Sequence, residues 1–209
     1  GKTTVLKLAS RILSPTKGKI VNHNTMISYV FQENRLMDEL TVFENLKMIV
    51  TAKKPGYRKL NNDEALDVIT KMLKLLDIEE CINYYPSQLS GSMKKRVAIA
   101  RAFLHPSQLL LMDEPFNNLD IQLKNEIMKT FIKLWQSDKR TVLFVTHSAD
   151  EALTLGNKIY FLGNKPMRII KTLNISGTNT NRNINSSKMV KYRREILKFF
   201  FDRVKEEHK

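Results

Sequence analysis

Two carboxylates stand side by side at Asp113 and Glu114, closing the apolar run Leu109-Leu110-Leu111-Met112, and a Leu89-Ser90-Gly91 turn stands about one helix upstream. Their chemistry is that of phosphoryl transfer. A buried strand ending in Asp-Glu delivers one carboxylate to Mg²⁺ and the next to a water, and the second is useful as a base only when metal neutralises the first. Ser90 and Gly91 bring a hydroxyl and backbone N–H groups to a helix start, where the helix dipole favours a phosphate. Either feature alone is a weak signal; a helix length apart in one chain, they are a strong one.

The elements that must hold these groups show in the periodicity. Val5, Leu6, Leu8, Ala9, Ile12 and Leu13 recur at helical spacing, so Gly1-Lys2-Thr3-Thr4 opens a helix. The Ser14-to-Gly18 turn leads to a short strand expected at Lys19 to Val21, and Met26 to Phe31 is a second strand that ends on Gln32. Thr41 and Glu44 form a capping box ahead of a short helix through Val50. Residues 53–62 are expected to loop. Asp63 begins another helix, with Leu66, Ile69, Leu73 and Leu76 as its apolar face.

Leu109 to Met112 and Val142 to Val145 are continuous apolar runs, as in parallel strands covered on both faces, and the helix from Asp120 to Trp135 is the crossover between them. Ile159 to Leu162 and Arg168 to Ile170 are expected as strands near a sheet edge, and residues 176–187 as a polar linker. Beyond it Met189, Tyr192, Ile196, Phe200 and Val204 line one side of a basic amphipathic helix, expected to dock back on the domain rather than on a membrane surface.

The chain has 209 residues and a net charge of +14. The length suits one domain with a sizeable core. The positive charges are scattered and many lysines neighbour asparagines, so the basicity is compositional bias and no nucleic-acid partner is expected. No apolar run approaches the roughly 18 residues of a membrane span. The single Cys81 forms neither an internal disulfide nor a metal cluster.

The segment from Leu89 to Asp120 resembles the signature motif, Walker B strand and D-loop of the ATP-binding cassette (ABC) ATPases. Gly1 to Thr4 resembles the end of a Walker A loop, Tyr29 to Gln32 a Q-loop, and Leu143 to His147 an H-loop. The order agrees and the resemblance covers nearly the whole chain. Met93, the run from Leu109 to Phe116 and that from Thr141 to Leu153 resemble the nitrate/sulfonate/taurine branch of importer ATPases. Gly1 falls on the second glycine of GxxxxGK[ST], so the first part of that loop, its preceding strands and an adenine-stacking aromatic are expected upstream; a natural start within the loop is the alternative.

The resemblance implies an α/β fold: a P-loop NTPase core with a mostly parallel sheet (1–32 and 89–175, its N-terminal strands missing), a helical subdomain (33–88) with the signature helix from about 90, and a C-terminal linker and helix (176–209). ATP and Mg²⁺ are the implied cofactors. Lys2 reaches the β- and γ-phosphates, Gly1 and Thr4 belong to the same cradle, and Thr3 offers its hydroxyl to the metal. Asp113 holds Mg²⁺, Gln32 touches it or the lytic water, Glu114 polarises that water, and His147 contacts the γ-phosphate. Ser90, Gly91 and Asp120 face the ATP and interface of the partner in a head-to-tail homodimer. Two positions depart from the family pattern: Ser92 replaces the second glycine of LSGG, and Asn117-Asn118 replace the usual small residues before Leu119-Asp120.

The implied function is the ATPase subunit of an importer on the cytoplasmic face of the cell membrane, docked on a separate permease through the helical subdomain and served indirectly by an extracytoplasmic solute-binding protein. A soluble ABC ATPase acting on nucleic acid or ribosomes is the first alternative; the short stretch between Gln32 and Ser90 has no room for the long coiled coil of the DNA-repair members. A catalytically silent fragment is the second.

Overall fold

The computed structural model describes residues 1–21, 26–53, 59–163, 166–175 and 182–207, with side chains as far as Phe201 in the last stretch. His23, the middle of the loop expected at 53–62, the first half of the linker expected at 176–187, the side chain of Val204, and His208 lie outside them. The chain forms two compact units, Thr3–Val145 and Gly1–Lys2 with Thr146–Lys209.

The first unit is organised by the strand β2 (Leu109–Asp113), which lies between β1 (Ile27–Val30) and β3 (Thr141–Val145) with both pairings parallel. Parallel strands need long crossovers, and the sequence supplies two. The first runs from β1 through α2 (Val42–Thr51), α3 (Asn62–Leu75), two 3-10 turns at Glu79–Cys81 and Pro86–Gln88, and α4 (Gly91–Leu104). The second is the single helix α5 (Ile121–Ser137). β2 is buried from Leu110 to Asp113, with Leu110, Leu111 and Met112 at 1% exposure or less. β3 departs from the expectation of two covered faces: as the outer strand of the three, it leaves Leu143 36% exposed.

Local chemistry marks where the helices start. Thr41 accepts from the Glu44 N–H while the Glu44 carboxylate accepts from the Thr41 N–H, and Asn61 and Glu64 repeat the arrangement one helix later. The second cap moves the start of α3 ahead of the expected Asp63, to Asn62. Its buried face is Ala65, Ile69 and Leu73, continued by Leu76; Leu66 is 47% exposed, because the helical stripe passes through position 65. Phe131 of α5 meets Phe103 and Phe116 edge-on, with ring centroids 5.9 and 6.3 Å apart. Arg140 closes the end of α4 by donating to the carbonyls of Ala102, Phe103 and His105.

α1 (Lys2–Ala9) is shorter than its apolar periodicity. Arg11 takes a left-handed φ of 60°, which ends the helix and leaves Ile12 and Leu13 exposed. Lys19 to Val21 form no strand: Ile20 and Val21 are exposed and no neighbouring strand among the described residues completes a ladder with them.

The second unit holds α6 (Ala149–Leu155), β4 (Lys158–Gly163), β5 (Arg168–Asn174) and α7 (Ser187–Glu207). β4 and β5 pair with each other, antiparallel, in a sheet of their own rather than at the edge of the parallel one. The short connection between them permits only a hairpin. Met189 and Ile196 of α7 are buried with Ala149, Leu153, Phe161 and Ile175, and Tyr192, Phe199 and Phe200 pack against this cluster. The amphipathic helix therefore docks on its own unit, as expected. Arg193 donates to Asp150 at 2.7 Å and adds a polar tie to α6.

The corrected face of α3 is testable by denaturant unfolding. Ile69→Ala is expected to cost about 2–5 kcal/mol, and Leu66→Ala less than about 0.5 kcal/mol; comparable losses at the two positions would contradict this packing.

Candidate functional site

The centre of the site is the carboxyl end of β2. Asp113 is 4% exposed, and its position is set by the parallel pairing that places it opposite Val145. The Thr3 hydroxyl, on the first turn of α1, donates to Asp113 Oδ1 at 3.1 Å. Residues remote in sequence thereby form one polar pair. Tyr29 of β1 contributes a hydroxyl to the same region. The hydroxyl is buried beside Asp113, and burial first, then the charge and hydrogen bonding of Asp113, push its pKa up to about 12. Its ring stacks on Phe31 at 4.2 Å.

Glu114 follows Asp113 in a different backbone state. Its φ is 46°, a left-handed conformation that costs a non-glycine residue roughly 1–2 kcal/mol, and it turns the chain out of the sheet while its N–H still donates to the Val145 carbonyl at 3.0 Å. Adjacent acids therefore do not share one environment: Asp113 is buried and Glu114 half-buried. Asn117 Nδ2 donates to Glu114 Oε2 at 3.0 Å. Asp120 then caps α5, accepting from the Leu123 N–H at 2.9 Å.

Gln32 lies just beyond β1 with an exposed side chain, and its carbonyl accepts from Lys95 Nζ at 3.0 Å. Lys95 is a lysine on the buried face of α4, 4% exposed, and desolvation pulls its pKa below the ordinary lysine value. One turn and a half along the same helix, Arg101 donates to the carbonyls of Asn34 and Arg35 at 2.8 and 2.6 Å. The loop after β1 is thus gripped through backbone oxygens by two cations of α4. The other end of α4 carries Ser90, which caps it by accepting from the Met93 N–H at 3.3 Å and lies 3.0 Å from the Ser92 hydroxyl. Gly91, the first residue of the helix, has open space where a Cβ would stand.

Gly1, Lys2 and His147 belong to the second unit. A Cβ on Gly1 would come within 3.0 Å of the Met167 sulfur. Lys2 is half-buried and Thr4 exposed, both at the start of α1. His147 is exposed between β3 and α6. It is flanked by Thr146, which donates to Glu151 at 2.5 Å and accepts from the Ser148 N–H at 2.9 Å, so the turn carrying the imidazole is fixed by its neighbours.

Lys95 and Arg101 lay outside the motif reading, Tyr29 entered it only as the first residue of the Q-loop run, and Asn117 only as a departure from the family pattern. Lys95 has a sequence signal: it shares a helical stripe with Ala98, Ile99 and Ala102, and a lysine on an apolar stripe is a buried charge seeking an acceptor. Asn117 has none beyond its departure from the usual small residue.

The ABC transporter family profile matches residues 1–117, and the chain belongs to that family; it is an ABC-type ATPase. It is 36% identical to the ABC transporter ATP-binding protein MJ0412 of Methanocaldococcus jannaschii, over 98% of this chain and 77% of that protein. Against the aliphatic sulfonates import ATP-binding protein SsuB of Bacillus cereus the identity is 32%, over 96% and 79%. A dimeric structure of a post-hydrolysis state of the ATP-binding cassette MJ0796 bound to ADP and Pi superposes with a TM-score of 0.73 at 29% identity, covering 85% of this chain and 82% of that one.

The grip of α4 on the loop is measurable. Lys95→Met keeps the stem but leaves the Gln32 carbonyl without its donor, and the expected cost is roughly 1–3 kcal/mol in urea unfolding, with faster proteolysis at residues 32–35. Lys95→Gln, which retains a donor, is expected to lose less. An unchanged midpoint for Lys95→Met would show that the bond contributes nothing.

Proposed function

We propose that this chain is the ATP-binding and ATP-hydrolysing subunit of an importer, driving uptake of a small solute of the nitrate, sulfonate or taurine class through a separate permease. The observation that carries the catalytic part is the pairing of Thr3 with a buried Asp113 next to a turned-out Glu114. Thr3 Oγ1 and Asp113 Oδ1 lie 3.1 Å apart, so both would serve one Mg²⁺, Thr3 through its hydroxyl and Asp113 through water. Among the described residues no cluster of three or more His, Cys, Asp or Glu forms a protein-only metal site. When bound, the ion supplies charge neutralisation on the phosphates.

The chain's own groups do the rest. Lys2 and the backbone of Gly1 to Thr4 hold the β- and γ-phosphates at the opening of α1. Glu114, turned out of the sheet, orients the attacking water and accepts its proton. Gln32 stands at the end of β1 as donor and acceptor toward the metal or water, and His147 contacts the γ-phosphate. Ser90 and Gly91, at an unobstructed helix start, receive the nucleotide held by a second copy, with Asp120 at the interface of that head-to-tail homodimer.

The importer assignment is supported by the sulfonate-import relative. Among the described residues no helix is long and apolar enough to cross a membrane, which suits a subunit recruited to the cytoplasmic membrane face by its permease. Residues 33–40 are the proposed permease groove, since that loop runs from Gln32 to α2 and is tied to both α4 and α2. Asn45, 1% exposed, holds its far end by donating to the carbonyls of Met37, Leu40 and Thr41. The solute-binding protein acts through the permease.

In the full-length protein, Glu114→Gln is expected to abolish steady-state ATP hydrolysis while ATP binding persists, because an amide cannot take the proton. Near-normal turnover in that variant would remove Glu114 from the role of base. Coexpressed with its permease, the protein is expected to pellet with membranes, and cysteine pairs placed between residues 33–40 and the permease to crosslink. Duplex-DNA binding with a steep salt dependence and no permease association would favour the nucleic-acid reading instead.

A further inference from the structure

We propose that Asn117 is a positioning residue for the hydrolytic water, acting through Glu114: its side-chain amide holds the carboxylate of the base in its working orientation. The proposal rests on Glu114 being that base.

The amide is anchored at both ends. Asn117 Oδ1 accepts from the Asn118 N–H at 3.0 Å, and this bond decides which way round the amide lies, so the NH₂ end faces Glu114 Oε2 at 3.0 Å. An asparagine that merely shaped the turn would need only its oxygen, as in an Asx turn; the second bond, to a carboxylate, is surplus to that task. The backbone closes the same loop, since the Asn117 N–H donates to the Glu114 carbonyl at 3.2 Å. Left-handed residues stand at both ends of the segment, Glu114 at φ 46° and Asn118 at φ 60°. Asparagine tolerates that conformation better than most residues, which gives position 118 its own reason for the departure. Glycine, alanine or serine at 117 would not carry an amide to the Glu114 carboxylate.

A half-buried glutamate on a short turn has rotamers to lose, and a general base works only within hydrogen-bond reach of the proton it takes. A neutral donor restricts the carboxylate without placing a second charge beside it. The departure from the family pattern at position 117 thus supplies the donor that restricts the Glu114 carboxylate.

The test is steady-state and single-turnover hydrolysis by the full-length protein. Asn117→Ala is expected to lower kcat about tenfold with KM for ATP changed less than about twofold, and Asn117→Asp, which replaces the donor by a like charge, to lower it further. Thermal unfolding and ATP affinity should remain those of the parent. In a Glu114→Gln background, Asn117→Ala should change the residual single-turnover rate little, because the group it positions is gone. Unchanged or raised kcat in Asn117→Ala would overturn the proposal, as would an equal fold loss in the presence and absence of the Glu114 carboxylate. Normal turnover by Glu114→Gln alone would overturn the underlying assignment of the base, whatever the Asn117 variants do.

Discussion

A carboxylate buried to 4% exposure is tolerated only where something compensates its charge or hydrogen-bonds it, and Asp113 meets that constraint with the Thr3 hydroxyl. Most of the first unit follows from keeping the two together. β2 must be central and apolar so that its end is held by ladders on both sides, and β1 and β3 must run parallel to it so that their ends arrive at the same edge. Parallel order in turn demands long crossovers, which are the helices that begin at Ser90 and Asp120. The site is therefore a consequence of one strand's burial rather than a set of residues added to a finished fold.

The two neighbouring acids illustrate how local backbone divides labour. Had Glu114 continued the strand, alternation would have sent it to the opposite face of the sheet. A left-handed turn instead leads the chain out, at a conformational cost, and Asn117 takes hold of the carboxylate that results. Strain of this kind persists where surrounding bonds overdetermine it; here the Val145 carbonyl holds the Glu114 N–H and Asp120 fixes the start of the next helix.

A second theme is the use of cations to hold backbone oxygens. Lys95 and Arg101 grip the loop after β1, and Arg140 closes the end of the same helix. These bonds join three parts of the molecule through α4: the turn at Ser90, the Gln32 loop and the approach to β2. A buried ammonium without its acceptor is costly, so the Gln32 carbonyl ties the loop to the helix. In the second unit the same economy appears in apolar form, with α7 covering the hairpin and α6.

The strands expected at 26–31, 109–112 and 142–145, the Thr41 cap, the helix starts near Ser90 and Asp120, and the family motifs were all legible in the sequence, because each depends on residue types at short fixed spacing. The apolar runs already implied parallel pairing, and the adjacent acids already implied phosphoryl chemistry. Sequence was misleading where periodicity outran packing: Ile12 and Leu13 keep a helical rhythm past a left-handed Arg11, Leu66 lies one position off the buried stripe, and Lys19 to Val21 find no pairing strand among the described residues. Long-range partnerships were decided only in the tertiary structure. That Thr3 meets Asp113, that Lys95 reaches the Gln32 carbonyl, that Tyr29 is buried beside a carboxylate and that Asn117 grips Glu114 all depend on register, backbone turn and burial, which arise when the crossovers bring distant segments to one edge of the sheet.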